Sequence, residues 1–164
     1  MRSAAAILAL FVAMPGGSHA DGLPDPVALR LQQGITACLG YYARGTPLTS
    51  LQKQGFARVG TSGKAVEYTL QPAELRRPIK VRVFTEGQNQ NECEIHANYT
   101  RRNAHRHAFN LLRATVADAG FRTIREQRFG SKGKTIFQRE SLSLFMKTRE
   151  RDNMLMLKFK LRSR

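Results

Sequence analysis

The chain has no tryptophan, only two cysteines among 164 residues, and twelve acidic residues against 27 lysines and arginines. Two cysteines rule out a disulfide-dense scaffold and any structural zinc site built mainly from thiolates. Beyond the N-terminal segment no stretch is long and apolar enough to span a bilayer as a helix. Carboxylates are too sparse for an obvious acid–base pair. There is no Gly-x-Ser-x-Gly nucleophile elbow.

The N-terminus is patterned for export. Arg2 precedes an apolar run from Ala4 to Met14, which Pro15, Gly16 and Gly17 break. Ser18-His19-Ala20 then places small residues at −3 and −1 ahead of Asp21. This is the layout of a secretory signal peptide, with cleavage expected after Ala20. The expected organisation is a signal peptide over residues 1–20 and a single domain over 21–164. The expected location is the periplasm or the exterior. In an exported chain Cys38 and Cys93 are expected to form one disulfide.

Charge is the strongest compositional signal. Removing Arg2 takes the formal net charge from +15 to +14. Residues 21–99 hold nine basic and seven acidic residues, whereas residues 100–164 hold seventeen and five. That asymmetry points to an anionic partner or surface.

Helical spacing of Val27, Leu31, Ile35, Cys38, Leu39 and Tyr42 predicts a helix over about 26–42, with Asp25 and Pro26 suited to its start. Thr49-Ser50 is suited to cap a short second helix that Gly55 ends. Three period-two segments follow, around Val66–Leu70, Ile79–Val83 and Cys93–Tyr99. A further helix is expected over about 103–119. Strands are expected over about 121–129, 134–140, 142–148 and 154–162. The fold class is therefore α+β: two helices packed on antiparallel β-meander sheets, in the order α-(α)-β-β-β-α-β-β-β-β. There is also an internal echo. Gln54-Gly55-Phe56 and Ala119-Gly120-Phe121 each close a helical region, and each precedes a strand and a Gly-x-x-Gly-Lys segment. Two readings stand: a duplicated unit with halves at 26–99 and 103–162, or chance recurrence of glycine-rich hairpin turns.

Gly130 to Thr135 resembles the end of a phosphate-binding loop, but Arg128 stands where its first glycine belongs, and a strand rather than a helix follows. His105 and His107 are two apart on a helix, so they diverge by roughly 200° and cannot grip one ion. His96 paired with either of them is the one arrangement suited to a secreted hydrolase or nuclease. Glu94 beside His96 is the one neat acid–histidine pair, and Glu92 shares its strand face. No metal or cofactor is implied.

The best constellation is basic. Arg101, Arg102, Arg106 and Arg113 line the start and outer face of the second long helix. Lys158, Lys160 and Arg162 share one face of the last strand, opposite its leucines, and Lys80 with Arg82 repeat that pattern. These cations form the expected binding face of a non-enzymatic protein, for an acidic protein, lipopolysaccharide, anionic lipid or polysaccharide. Met154 and Met156 rather than aromatics lie beside them, which disfavours a nucleic-acid stacking platform and offers an adaptable contact for a protein. An inhibitor of an acidic exported protein is the closest alternative.

Overall fold

The computed structural model describes residues 25–99, 104–129, 132–151 and 154–163. Residues 1–20, expected as a signal peptide, lie outside them, as do Arg101 and Arg102.

Helix α1 (Asp25–Arg44) carries Asp25 in its first turn and Arg44 in its last, each favourable to the helix dipole. Its buried stripe is Val27, Leu31, Ile35, Cys38 and Leu39. A short helix α2 (Thr49–Lys53) leads into four strands: β1 (Ala57–Ser62), β2 (Ala65–Leu70), β3 (Ile79–Phe84) and β4 (Glu92–Asn98). Helix α3 (Ala104–Asp118) then leads into β5 (Arg122–Phe129), β6 (Lys132–Arg139), β7 (Leu142–Arg151) and β8 (Met154–Ser163).

All eight strands form one antiparallel sheet in the order β1-β2-β3-β4-β8-β7-β6-β5. The α+β class expected from the sequence is what the structure has, with one more strand in the first half than periodicity alone suggests. That strand, β1, is exposed almost throughout and bulged between Arg58 and Gly60, so no alternation betrays it. Each half is one long helix followed by a four-strand meander, and the halves join through their last strands, β4 and β8.

The two glycine-phenylalanine segments terminate helices in the same way. Phe56 N–H donates to Leu51 O at 3.0 Å, and Phe121 N–H to Val116 O at 3.3 Å. Gly55 N–H bonds Gln52 O at 3.0 Å and Gly120 N–H bonds Ala117 O at 2.8 Å. Both glycines have positive φ, 91° and 86°. This is the Schellman arrangement, whose left-handed C′ residue favours glycine. Each phenylalanine after it is buried.

Helices α1 and α3 pack against each other and cover one face of the sheet, α1 on β3 and β4 and α3 on β7. The core lies between, from Val81, Ile95 and Leu157 to Leu144 and Phe137. Cys38 on α1 and Cys93 on β4 form the expected disulfide inside this core, with Cα atoms 6.3 Å apart and both residues fully buried.

The second Gly-x-x-Gly-Lys segment runs on into the β5–β6 hairpin, in which Phe129 pairs with Lys132. Lys132, Gly133 and Lys134 already belong to β6, with Gly133 opposite Arg128. A Cβ on Gly133 would fall 2.8 Å from Thr148 Oγ1 and 2.9 Å from Phe109 Cε2. The glycine is there because a phenyl ring from α3 and the Thr148 hydroxyl of β7 both crowd the strand at that point, and a strand-bound Lys134 cannot serve a phosphate loop.

Candidate binding face

Among the described residues, the other face of the sheet carries no helix. Antiparallel pairing places directly opposed residues on the same face, with Cβ atoms about 4.5–5.5 Å apart, so the open face reads as rows across the strands. One row runs Lys134 (β6), Lys147 (β7), Lys158 (β8), Glu94 (β4), Arg82 (β3), Glu67 (β2). Its two ends behave differently.

From β8 to β2 the charges alternate and neutralise. Lys158 Nζ contacts Glu92 Oε1 and lies 3.1 Å from Glu94 Oε1. Arg82 Nη1 lies 3.0 Å from Glu94 Oε2, and its Nε is 3.7 Å from Glu67. Lys80 reaches Glu67 at 3.2 Å, and His96 Nε2 lies 3.5 Å from Glu94 Oε2. His96 first, then Lys158, hold the Glu94 carboxyl down to about 2 against the desolvation that would raise it. Burial alone would lower the Lys158 ammonium, but its bonds to Glu92 and Glu94 outweigh that and raise it.

The sign of the pH effect follows. A carboxylate depressed in the folded state contributes its stability above its ordinary value of 4.5, and loses it as pH falls from there toward about 2. Glu94→Gln is therefore expected to flatten the acid limb of the stability curve. Between about pH 5 and pH 2 the natural chain should lose on the order of 1–2 kcal/mol more than the variant. Urea midpoints across that range measure this, and parallel curves would refute it.

From β6 to β8 the row is three lysines side by side, and like charges directly opposed destabilise a sheet. Lys158 is neutralised, but among the described residues no acid pairs with Lys134 or Lys147. The neighbouring row opposes Lys132 to Arg149 in the same way. On the other side of the lysine row lie Arg125, Ile136, Phe145 and Lys160, and beyond them Arg122, Gln138, Ser143 and Arg162. A depression of about 410 Å³ opens here, lined by Lys134, Phe145, Lys147, Lys158, Lys160 and Arg162, with one acid, Glu92, which stands opposite Lys160 and contacts Lys158. The Arg162 guanidinium sits 5.1 Å from the Phe145 ring centroid, and Lys160 donates to Gln88 O at 2.9 Å.

A bulge completes this face. β5 shifts register between Thr123 and Arg125. Simple alternation from Arg122 would send Glu126 to the open face and Arg125 to the helix side. The extra residue reverses both. Arg125 joins the cations opposite Ile136, and Glu126 meets Arg113 of α3 at 3.1 Å.

The basic residues expected from the sequence thus divide between two surfaces. Lys158, Lys160 and Arg162 do lie on the open face, with Lys80 and Arg82. Arg106 and Arg113 are exposed on α3, which covers the opposite face, and Arg113 is paired with Glu126. The helix strip and the strand cations therefore stand on opposite sides of the sheet, and Lys158 is paired with Glu92 and Glu94. Lys134, Lys147, Arg122 and Arg125 share the open face with Lys160 and Arg162. The signal for Lys147 was present: Leu144, Met146 and Thr148 alternate with Lys147 and Arg149. Met156 is half-buried on the open face opposite His96 and Arg149, while the Met154 side chain lies outside the described residues.

The histidines do not converge. His96 faces the open side, whereas His105 and His107 ride on α3 on the other side of the sheet. Among the described residues no three of His, Cys, Asp and Glu gather as metal ligands. No described helix is long and apolar enough to cross a membrane. Comparison with protein-family models, curated proteins and solved structures finds no match for this chain.

Proposed function

We propose that this chain is an exported, non-enzymatic binding protein whose open sheet face, over β5 to β8, holds an anionic partner. One observation carries the reading. Lys134 and Lys147 are directly opposed and neither is in ion-pair contact with an acid among the described residues, whereas the same row two strands away is fully compensated. A sheet that spends stability on opposed like charges gains it back when a bound anion sits between them. The signal-like N-terminus and the buried disulfide support the exported location. The placement of His96 across the sheet from His105 and His107 favours this reading over the hydrolase alternative.

The test is the salt dependence of binding. Residues 21–164 should bind immobilised heparin and anionic vesicles with log affinity falling linearly in log salt. Replacing Lys134 and Lys147 with Ser should make that slope shallower for both probes, because two fewer counterions are released on binding. Arg106→Ser with Arg113→Ser should leave it unchanged. A slope insensitive to the first pair, or absent altogether, would sink the proposal.

A further inference from the structure

The cations of the open face are not scattered. Arg122 and Arg125 stand on β5, Lys134 and Lys147 close one end, and Lys160 and Arg162 stand on β8. They form three sides of a frame. Inside it are Ile136 and Phe145, opposed on β6 and β7 and half-buried, with Gln138 and Ser143 beyond. The frame's interior is uncharged, and its floor is an aliphatic and an aromatic side chain.

Resting on the binding reading above, we infer that this frame receives an acidic segment of a protein partner: an extended stretch with one large apolar side chain flanked by Asp or Glu. Three physical points select this occupant. An apolar centre with a charged rim is the anatomy of a protein–protein contact, in which aromatic residues and arginine are enriched at the core. Arg162 against Phe145 widens the planar surface that an anchor side chain would lie on. The scale fits too. At about 4.8 Å between strands and about 6.7 Å between alternate residues, the frame measures roughly 14 by 13 Å, which about four extended residues cross.

A purely polar polyanion would leave Ile136 and Phe145 unused. A bilayer surface is met by exposed apolar side chains that insert. The exposed large apolar residues among those described are Leu29 on α1, Val59 on β1 and Ile124 on β5, and none lies inside the frame.

The experiment compares four probes on residues 21–164: a Glu-rich peptide with one central Phe, the same peptide with Ala at its centre, a heparin oligosaccharide, and vesicles of phosphatidylcholine with anionic phosphatidylglycerol. The Phe peptide is expected to bind at least about tenfold more tightly than the Ala peptide, as burial of one aromatic side chain implies. Lys134→Ser with Lys147→Ser should weaken both peptides by one common factor and preserve their ratio. Ile136→Ser with Phe145→Ser, checked for folding by thermal melting, should erase the ratio and leave the salt slope in place. Equal affinity for the two peptides, or tighter binding of heparin or vesicles than of the Phe peptide, overturns the acidic-segment inference while anion binding stands. No binding of any probe overturns both.

Discussion

Replacing Cys38 and Cys93 together with serine is expected to lower the stability of the folded chain by about 4 kcal/mol, the chain-entropy value for a loop of this length. The cross-link joins residues 55 apart, so without it the unfolded ensemble regains the freedom of a long loop. It also ties α1 to β4, the strand through which the two halves of the sheet meet. Domains of this kind rest on margins of about 5–15 kcal/mol, so the variant should sit close to its unfolding threshold at body temperature. Urea denaturation of the oxidised chain and the double variant measures the difference. The variant should also show a larger denaturant dependence, because its unfolded state exposes more surface. A loss below about 1 kcal/mol would contradict the assigned cross-link.

Phe109→Ala is expected to cost a similar amount, about 3–5 kcal/mol. Phe109 is buried on α3, and its ring occupies the space that a side chain at position 133 would fill. Truncating it opens a cavity between helix and sheet that the surrounding strands cannot close. The converse change, Gly133→Ala, overpacks the same spot and should cost about 1–3 kcal/mol. The two should not add. With the ring gone, the clash at Phe109 is relieved and only that with Thr148 Oγ1 remains, so the combined loss should fall short of the sum of the single losses by about 0.5–3 kcal/mol. Strict additivity would mean that Gly133 and Phe109 do not compete for one space.

This pair shows where the sequence was read correctly and where it misled. Gly133 sits in a glycine–lysine string that looks like a turn, and only the crowding by Phe109 and Thr148 explains a glycine within a strand. β2, β3, β4 and β8 were legible because an antiparallel strand with one face buried must alternate. β1 was legible only through the echo, which places a strand after Phe56, because an exposed edge strand has no buried face to impose a period. The α2 and α3 endings were legible as an echo because a Schellman cap favours glycine at one position and a buried apolar residue at the next.

The site was legible only in its last strand. Alternation alone put Lys158, Lys160 and Arg162 opposite Leu157 and Leu161. What it could not supply was the neighbours. Glu94 and Lys158 are 64 residues apart, and they neutralise each other only because β4 pairs with β8. The position of Arg125 depends on a one-residue bulge that breaks period-two counting. The helix cations were grouped with the strand cations by charge, although a sheet separates them.

The most direct test of the central claim is a residue-resolved map of where an anion binds. Amide chemical shifts of residues 21–164 would be followed by NMR during titration with the Glu-rich Phe peptide at low salt. The perturbed residues are expected to cluster on Lys134, Ile136, Phe145, Lys147 and Lys160. Perturbations centred on Arg106 and Arg113 of α3, or spread evenly over both faces, would contradict it.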